Sequence, residues 1–254
     1  MTILCYHAIE PGWTSPLAVD PEAFAAHCDW LANSRQVIPL HEAIDRLDRT
    51  GRLPRGVAAL TFDDGFEGLY EHAMPVVTRY RLPMTVFLVA QTLASGGKRV
   101  DWVDTPPDYE LTTLDEHQVL EMQSMGVDFQ SHSYAHVNLT SLSFQACVED
   151  LRDSRELLES LLHRPVRMLA YPRGRHDEGV RAAAQQAGYT WAFTLPEGPE
   201  RAGPYAIPRV GIYHGNGVRS LRTKSARSYL PLRTGRGYEL AKRAQRAVQR
   251  RSGS

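Results

Sequence analysis

Residues 57–65 have the sequence VAALTFDDG, in which an almost continuous apolar run is followed at once by two carboxylates and a glycine. A run that is apolar on both faces is typical of a strand in a parallel sheet covered by helices. Folds of this kind place their active sites at the carboxyl ends of the strands. Because Asp-Gly is also a common turn signal, the motif alone is equally consistent with a surface turn. The stretch predicts a buried parallel strand and makes Asp63 and Asp64 candidate functional residues.

On both sides of this stretch, short apolar runs alternate with helical patterns. The runs predict strands at residues 3–6, 37–40, 84–89, 127–130, 166–170, 190–194 and 206–212. The helical patterns cover residues 21–32, 41–49, 75–80, 114–125, 143–162 and 177–187. Residues 94–112 contain Gly-Gly and Pro-Pro pairs and predict a long loop. The alternation predicts an α/β fold with right-handed crossovers, either an irregular (β/α) barrel, which we favour, or a doubly wound open sheet.

Composition sets the broad class. The chain is 43% hydrophobic and 23% charged, which is ordinary for a globular domain with a sizeable core. Its three cysteines are far apart and form no CxxC pair, which argues against a disulfide framework. The first residues turn polar too early for a signal peptide, and no run approaches the roughly 18 apolar residues of a membrane span. These features predict a cytoplasmic protein.

The formal net charge of zero hides a strong asymmetry. From Arg219 onward there are 11 Lys and Arg residues and one acid, Glu239, which leaves 18 basic and 28 acidic residues before it. We therefore predict a catalytic domain at residues 1–218 and a basic tail at 219–254, partly helical or disordered. The tail could be a solvated segment, or it could attach peripherally to an anionic membrane at its inner face. No nucleic-acid recognition motif accompanies it, so we expect no nucleic-acid partner.

A second cluster, HSYAH at residues 132–136, contains two histidines separated by three residues. On a helical turn this spacing can bring both imidazoles to one metal ion, although an isolated pair is more often two surface histidines. Ser133 stands where metalloproteases of the HExxH type carry a glutamate. A general base must then come from elsewhere, and the Asp63-Asp64 pair offers one.

Two further segments are candidates for the site only because each lies at the end of a predicted strand. Residues 171–174, YPRG, follow a predicted strand and alone indicate a turn, with Gly174 allowing close approach of a ligand. Tyr6-His7 ends the first predicted strand, where a lone histidine is more often structural than catalytic.

Taken together, TFDDG at 61–65, HSYAH at 132–136, YPRG at 171–174 and GYTWAFT at 188–194 resemble the motifs of the polysaccharide deacetylases. This is the NodB-homology group, also called carbohydrate esterase family 4. The early Tyr6-His7 resembles its permuted-motif subgroup, which includes biofilm poly-N-acetylglucosamine deacetylases. The resemblance implies a NodB-type irregular barrel. It also implies a metal-dependent hydrolase that removes the N-acetyl group of an amino sugar and gives acetate and a free amine.

The resemblance assigns roles to the matching positions. Asp63 becomes the general base, and His7 the candidate general acid. One divalent metal ion, most simply zinc, would be bound by Asp64, His132 and His136. The segment Tyr171-Pro172-Arg173 would contribute to the substrate and oxyanion site, with the Arg173 N–H as a donor.

Two departures from the family pattern affect this expectation. Ala170 stands where many members carry the arginine that braces the catalytic aspartate, and Arg173 replaces a common aromatic residue. We predict that Arg209, in the last strand pattern, replaces the brace, with a surface salt bridge as the alternative. The rival functions are hydrolysis of another small non-peptide amide and non-catalytic carbohydrate binding.

Overall fold

The computed structural model describes residues 2–51, 55–94, 100–196, 198–200 and 202–235. The strands within these ranges are β1 Thr2–Tyr6, β2 Ala8–Ile9, β3 Ala18–Val19, β4 Gln36–Val37, β5 Val57–Phe62, β6 Met84–Leu88, β7 Asp128–Ser131, β8 Met168–Ala170, β9 Trp191–Thr194, β10 Ile207–Pro208 and β11 Val210–Gly211. The α-helices are α1 Pro21–Ser34, α2 Leu40–Thr50, α3 Met74–Tyr80, α4 Ala90–Leu93, α5 Glu116–Ser124, α6 Phe144–Leu162, α7 Glu178–Gln186, α8 Val218–Lys224 and α9 Tyr229–Thr234.

The main sheet has the strand order β10-β9-β8-β7-β6-β5-β1-β11, and every neighbouring pair in it is parallel. Its two edges, β10 and β11, belong to the single segment 207–211. The first half of this segment pairs with β9 and the second half with β1. The sheet is therefore nearly closed into a barrel. The predicted irregular (β/α) barrel is confirmed, and the open-sheet alternative is wrong.

Alternation along the strands divides the core into two layers. The residues on one face of the strands form an apolar cluster that also includes side chains of α2. Its members from the strands are Ile3, Val57, Ala59, Phe87, Met168, Ala170, Phe193 and Ile207. The intervening residues, such as Leu4, Leu60 and Val86, pack in a second cluster with the surrounding helices. Because side chains repeat every two residues along a strand, the inner face of β5 runs from Val57 through Thr61 to Asp63. The alternation thus places a carboxylate at the end of an apolar column.

Local capping explains where several helices begin. The Asp20 side chain accepts the Glu22 N–H ahead of α1, and the Asp177 side chain accepts the Val180 N–H ahead of α7. Helix α5 starts later than the pattern suggests, at Glu116, because Asp115 and Gln118 form a capping box there.

The first residues of the predicted tail pack on the domain. Leu221 of α8 is buried in the main core cluster, and the Thr2 hydroxyl donates to the Ser225 carbonyl. The predicted boundary at residue 219 therefore falls within a packed helix. Residues 236–254 lie outside the described residues, so membrane attachment through them stays a prediction. Of the helices described, none combines the length and apolarity that crossing a bilayer requires.

Candidate active site

A cavity of about 280 Å³ opens at the carboxyl ends of the strands. Its wall brings together residues from distant parts of the sequence, among them His7, Asp64, His132, His136, Arg173 and Arg209. Of the residues predicted to form the site, Tyr171 and Pro172 do not line this cavity, and Asp63 lies directly behind it against Arg209.

Asp63 is buried and fixed by a two-pronged ion pair. Arg209 donates from Nη1 to Oδ1 at 2.7 Å and from Nη2 to Oδ2 at 2.6 Å. The Cys5 thiol donates to Oδ2 at 3.3 Å. Burial alone would raise the pKa of Asp63, but the Arg209 guanidinium outweighs it and holds that pKa well below its usual range. Asp63 is therefore ionised and oriented.

Arg209 occupies the point where the barrel closes. The predicted strand at 206–212 is interrupted at this residue, because its backbone N–H donates to Thr194 of β9 while the next residue pairs with β1. The residue is 1% exposed, and its guanidinium lies over the Phe87 ring, 5.1 Å from the centroid. A guanidinium held this way has little freedom to leave Asp63.

Asp64 points into the cavity because its backbone turns away from the strand direction. Its φ of 71° and that of Gly65, 69°, lie in the left-handed region, which only a few per cent of non-glycine residues adopt. Oδ1 of Asp64 lies 3.5 Å from His132 Nε2 and 3.2 Å from His136 Nε2. Strain of this kind is characteristic of functional sites.

The two histidines sit on the loop that follows β7, and the expectation of a helical turn is wrong. Ser133 and His136 both have positive φ, 70° and 54°. The Ser133 hydroxyl accepts the His136 N–H, and the Asp150 carboxylate of α6 accepts the N–H groups of Tyr134 and Ala135. These side-chain acceptors replace helical hydrogen bonds and fold the loop so that both imidazoles face Asp64.

Asp64, His132 and His136 have the donor chemistry of a metal site. Their ligand atoms all lie within 4.8 Å of one another. His132 Nδ1 donates to the Ala170 carbonyl at 2.8 Å, so the lone pair on Nε2 is directed toward Asp64 and can bind a cation. Burial lowers the pKa of both histidines, that of His136 to about 2. Burial, and after it the negative charge of Asp63, raise the pKa of Asp64 to about 8. Neutral imidazoles cannot form ion pairs with Asp64, whereas a divalent cation would satisfy all three ligands.

Sequence reasoning missed Trp102 as a member of the site. Its indole N–H donates to Asp64 Oδ1 at 3.2 Å, and its ring lies 5.0 Å from that of His136. It belongs to the predicted loop at 94–112, and the length of that loop was the only signal. The Arg173 side chain holds the loop in place through the Trp102 carbonyl and the Asp104 carboxylate.

The YPRG segment at residues 171–174 places the Tyr171 side chain in the core and Arg173 at the cavity. Tyr171 is fully buried, donates its hydroxyl to the Tyr205 carbonyl and stacks on His176, so its side chain is directed away from the site. Arg173 has a φ of 57° and lines the cavity. The structure therefore brings Arg173, but not the Tyr171 side chain, to the candidate ligands.

His7 follows β1 and lies beside Asp63. Ligand atoms of Cys5, His7 and Asp63 fall within 4.8 Å of one another, and the His7 ring stacks on Tyr213 with centroids 6.3 Å apart. Burial lowers the pKa of His7 to about 4, against an opposing effect of Asp63. The imidazole is therefore neutral in the resting site.

The family model described as "Polysaccharide deacetylase" matches residues 50–192. YxkH of Bacillus subtilis (strain 168), whose name assigns it to the same family, is 30% identical over 218 residues, covering 85% of this chain and 72% of that protein. A poly-beta-1,6-N-acetyl-D-glucosamine N-deacetylase of Staphylococcus epidermidis is 27% identical over 206 residues, covering 76% of this chain and 67% of its own length.

Solved structures share the fold. The Streptococcus pyogenes deacetylase PplD, in complex with acetate, superimposes with a TM-score of 0.76 at 24% identity, covering 89% of this chain and 98% of its own. IcaB from Ammonifex degensii gives a TM-score of 0.70 at 23% identity, covering 88% and 96%. With a family model that spans more than half of the sequence and a relative at 30% identity, this chain belongs to the polysaccharide deacetylase family.

Proposed function

We propose that the protein is a metal-dependent deacetylase that hydrolyses the N-acetyl group of an amino sugar and releases acetate and a free amine. One observation carries the proposal: an ionised, braced carboxylate, Asp63, adjoins a convergent set of Asp64, His132 and His136 at one cavity. The N-acetylated polysaccharide named for the Staphylococcus epidermidis relative supports the choice of substrate class.

Asp64, His132 and His136 would hold the metal, and two imidazoles with one carboxylate suit zinc. When bound, a divalent cation supplies polarisation of the acetyl carbonyl and of a water molecule. The chain contributes the lone pairs, the hydrogen bond that orients His132, and the Trp102 donor on Asp64.

Proton transfer is assigned to Asp63 and His7. Asp63 accepts a proton from the attacking water as the oxygen bonds to the amide carbon, and Arg209 keeps the carboxylate oriented for this. Because His7 is neutral at rest, its proton arrives during turnover by transfer from Asp63. His7 then protonates the sugar nitrogen as the carbon–nitrogen bond breaks. The backbone N–H of Arg173 is assigned to the developing oxyanion.

Acetate release from N-acetylated sugars tests the proposal. Wild-type protein loaded with zinc is incubated with chito-oligosaccharides, poly-β-1,6-N-acetylglucosamine and simple acetamides, and products are followed by mass spectrometry. We expect deacetylated sugars, loss of activity with a chelator and recovery when metal is restored. Hydrolysis of the simple acetamides alone would favour the rival amide hydrolase, and sugar binding without acetate release would favour a binding protein.

A further inference from the structure

His7, the proposed general acid, lacks the hydrogen bond that usually orients an imidazole in a reacting site. Its Nδ1 is buried and has no hydrogen-bond partner among the described residues. A histidine in such a site is ordinarily oriented by a hydrogen bond at its second nitrogen, as His132 is through the Ala170 carbonyl. The orientation of the His7 ring therefore depends on the side chains that pack against it.

Tyr213 lies against the His7 ring as a consequence of strand register. Strand β11 is parallel to β1, with Gly211 opposite Cys5. The Ile212 N–H donates to the Cys5 carbonyl at 2.8 Å, which carries the pairing one residue past β11. Because side chains alternate along a strand, two residues further on His7 and Tyr213 lie side by side on one face. Their rings are stacked, with centroids 6.3 Å apart and planes inclined by 26°.

Gly211 leaves the space that the Tyr213 side chain occupies. A Cβ at position 211 would lie 2.2 Å from the Tyr213 hydroxyl oxygen and 2.4 Å from its Cζ. Real Cβ atoms do not approach other atoms so closely, so any other residue at this position would displace the ring. The glycine is thus matched to this placement of the tyrosine.

Lys224 of α8 and Asn216 fix Tyr213 in this position. Lys224 Nζ lies 4.9 Å from the centre of the Tyr213 ring, and it donates to the Gly211 carbonyl at 2.7 Å and to Asn216 Oδ1 at 2.6 Å. The same Asn216 oxygen accepts the Tyr213 N–H at 3.2 Å. The ring and the backbone of Tyr213 are therefore held by one connected group of side chains.

We propose, on the basis of the proposed deacetylase function, that Tyr213 is a positioning residue whose ring holds the His7 imidazole in the orientation that protonates the leaving sugar nitrogen. The proton still passes from Asp63 to His7 and then to the nitrogen as the carbon–nitrogen bond breaks. A misplacement of about 1 Å in such a group can cost ~10²-fold in rate. The Tyr213 hydroxyl donates no proton, since burial raises the pKa of Tyr213 to about 12.

Two substrate classes that differ in their need for a general acid test the proposal. A sugar amine leaves only when it is protonated, whereas the phenolate of para-nitrophenyl acetate leaves without a proton. In the full-length, zinc-loaded protein, Tyr213→Ala should lower kcat on chito-oligosaccharides by about 10- to 100-fold and on para-nitrophenyl acetate by less than about threefold. Tyr213→Phe retains the ring and should retain both rates. Tyr80→Leu, at a half-buried tyrosine outside the cavity wall, is the control.

Two further variants show whether the ring acts through His7. Gly211→Ala displaces the Tyr213 ring without altering it, and should reproduce the selective loss on chito-oligosaccharides. His7→Ala with Tyr213→Ala should be no slower than His7→Ala alone, because both substitutions remove the same imidazole from the reaction. Equal losses on the two substrates, or equal losses in Tyr213→Phe and Tyr213→Ala, would overturn the proposal.

Titration of His7 separates this inference from the proposed function. In chelated protein, NMR of the ring protons should show the pKa of His7 rising from about 4 toward 6.5 in Tyr213→Ala, because water then reaches the imidazole. The titratable and charged neighbours of His7 are the same in both proteins; they are Asp63, His132 and Arg209. This rise supports the contact even if no sugar is deacetylated. An unchanged pKa in Tyr213→Ala and Gly211→Ala overturns it and leaves the deacetylase function standing. If Tyr213→Ala fails to fold, Gly211→Ala decides.

Discussion

The two halves of the site place two adjacent carboxylates, Asp63 and Asp64, in opposite electrostatic environments. After their proposed roles, we call Asp63, His7 and Arg209 the acid–base half and Asp64, His132 and His136 the ligand half. Asp63 carries a guanidinium on both oxygens, and its pKa lies well below the usual range. Asp64, the next residue, faces two neutral imidazoles and an indole N–H, and its pKa is raised to about 8, by burial first.

The difference indicates which half of the site has its own counter-charge and which half requires an added cation. The acid–base half contains its own counter-charge, so it can hold an ionised base without any ligand. Within the described residues, no lysine or arginine pairs with Asp64, and three lone-pair donors converge there. Two close carboxylates can both stay ionised only when each has a cation beside it, and a divalent metal would supply the cation that Asp64 lacks.

The largest expected effect comes from removing a ligand. His132→Ala should lose most bound metal and lower kcat/KM by about 10³-fold or more, because the metal contributes several kcal/mol of transition-state stabilisation and each ~1.4 kcal/mol is tenfold. His117→Ala is the matched control, since its side chain is 86% exposed. Metal content is read by elemental analysis. A His132→Ala protein with full metal content would remove this residue from the ligand half.

Removing the counter-charge of the acid–base half should cost less activity but more stability. Arg209→Met leaves the buried Asp63 carboxylate unpaired, which costs about 3–5 kcal/mol in comparable buried pairs. We also expect about a 10²-fold loss of kcat/KM, because the base is no longer held in position. Urea unfolding measures the first effect, with the exposed Arg49→Met as control. A loss of stability under about 1 kcal/mol would mean that Arg209 forms only a weak ion pair.

The sequence predicted much of this arrangement because strand ends converge. Asp63, Asp64, His132 and His7 each follow directly after a strand, so an alternating α/β pattern is enough to bring them to one rim. Arg209 could be predicted from its place in the last apolar pattern. The interruption of that strand at Arg209 could not be predicted, because it depends on the pairing of the first half of the segment with β9 and of the second half with β1.

Residues outside the strand ends were not predictable. Trp102 reaches Asp64 from a loop that has no predicted helix or strand, and Arg173 contacts the same loop at Asp104. Lys224 lies in a region dense in basic residues, where Leu221 is the only apolar side chain buried from α8. Charge counting predicted a partly helical or disordered tail, and nothing in the sequence indicated that Lys224 and Tyr229 line the cavity.

The smallest effect concerns electrostatic coupling between Asp63 and His7, the two titratable groups that are assigned to proton transfer. Burial lowers the pKa of His7 to about 4, and the Asp63 charge partly opposes this. In chelated protein, Asp63→Asn should therefore lower the pKa of His7 further, as followed by NMR of its ring protons. Because the folded pKa lies below the ordinary 6.5, the stability gained from neutral His7 is lost as pH falls from about 6.5 toward 4. A rise in this pKa on Asp63→Asn would contradict the coupling.

The most direct test of the two-halves account is the metal content of Asp63→Asn and Asp64→Asn proteins reconstituted side by side with zinc. These substitutions are adjacent, nearly isosteric and equal in charge change, so only the environment of each carboxylate distinguishes them. We expect Asp63→Asn to retain close to the wild-type amount of metal while its turnover falls by about 10²- to 10⁴-fold, and Asp64→Asn to lose most of the metal. Equal metal content in the two proteins, or loss from Asp63→Asn alone, would contradict the division of roles.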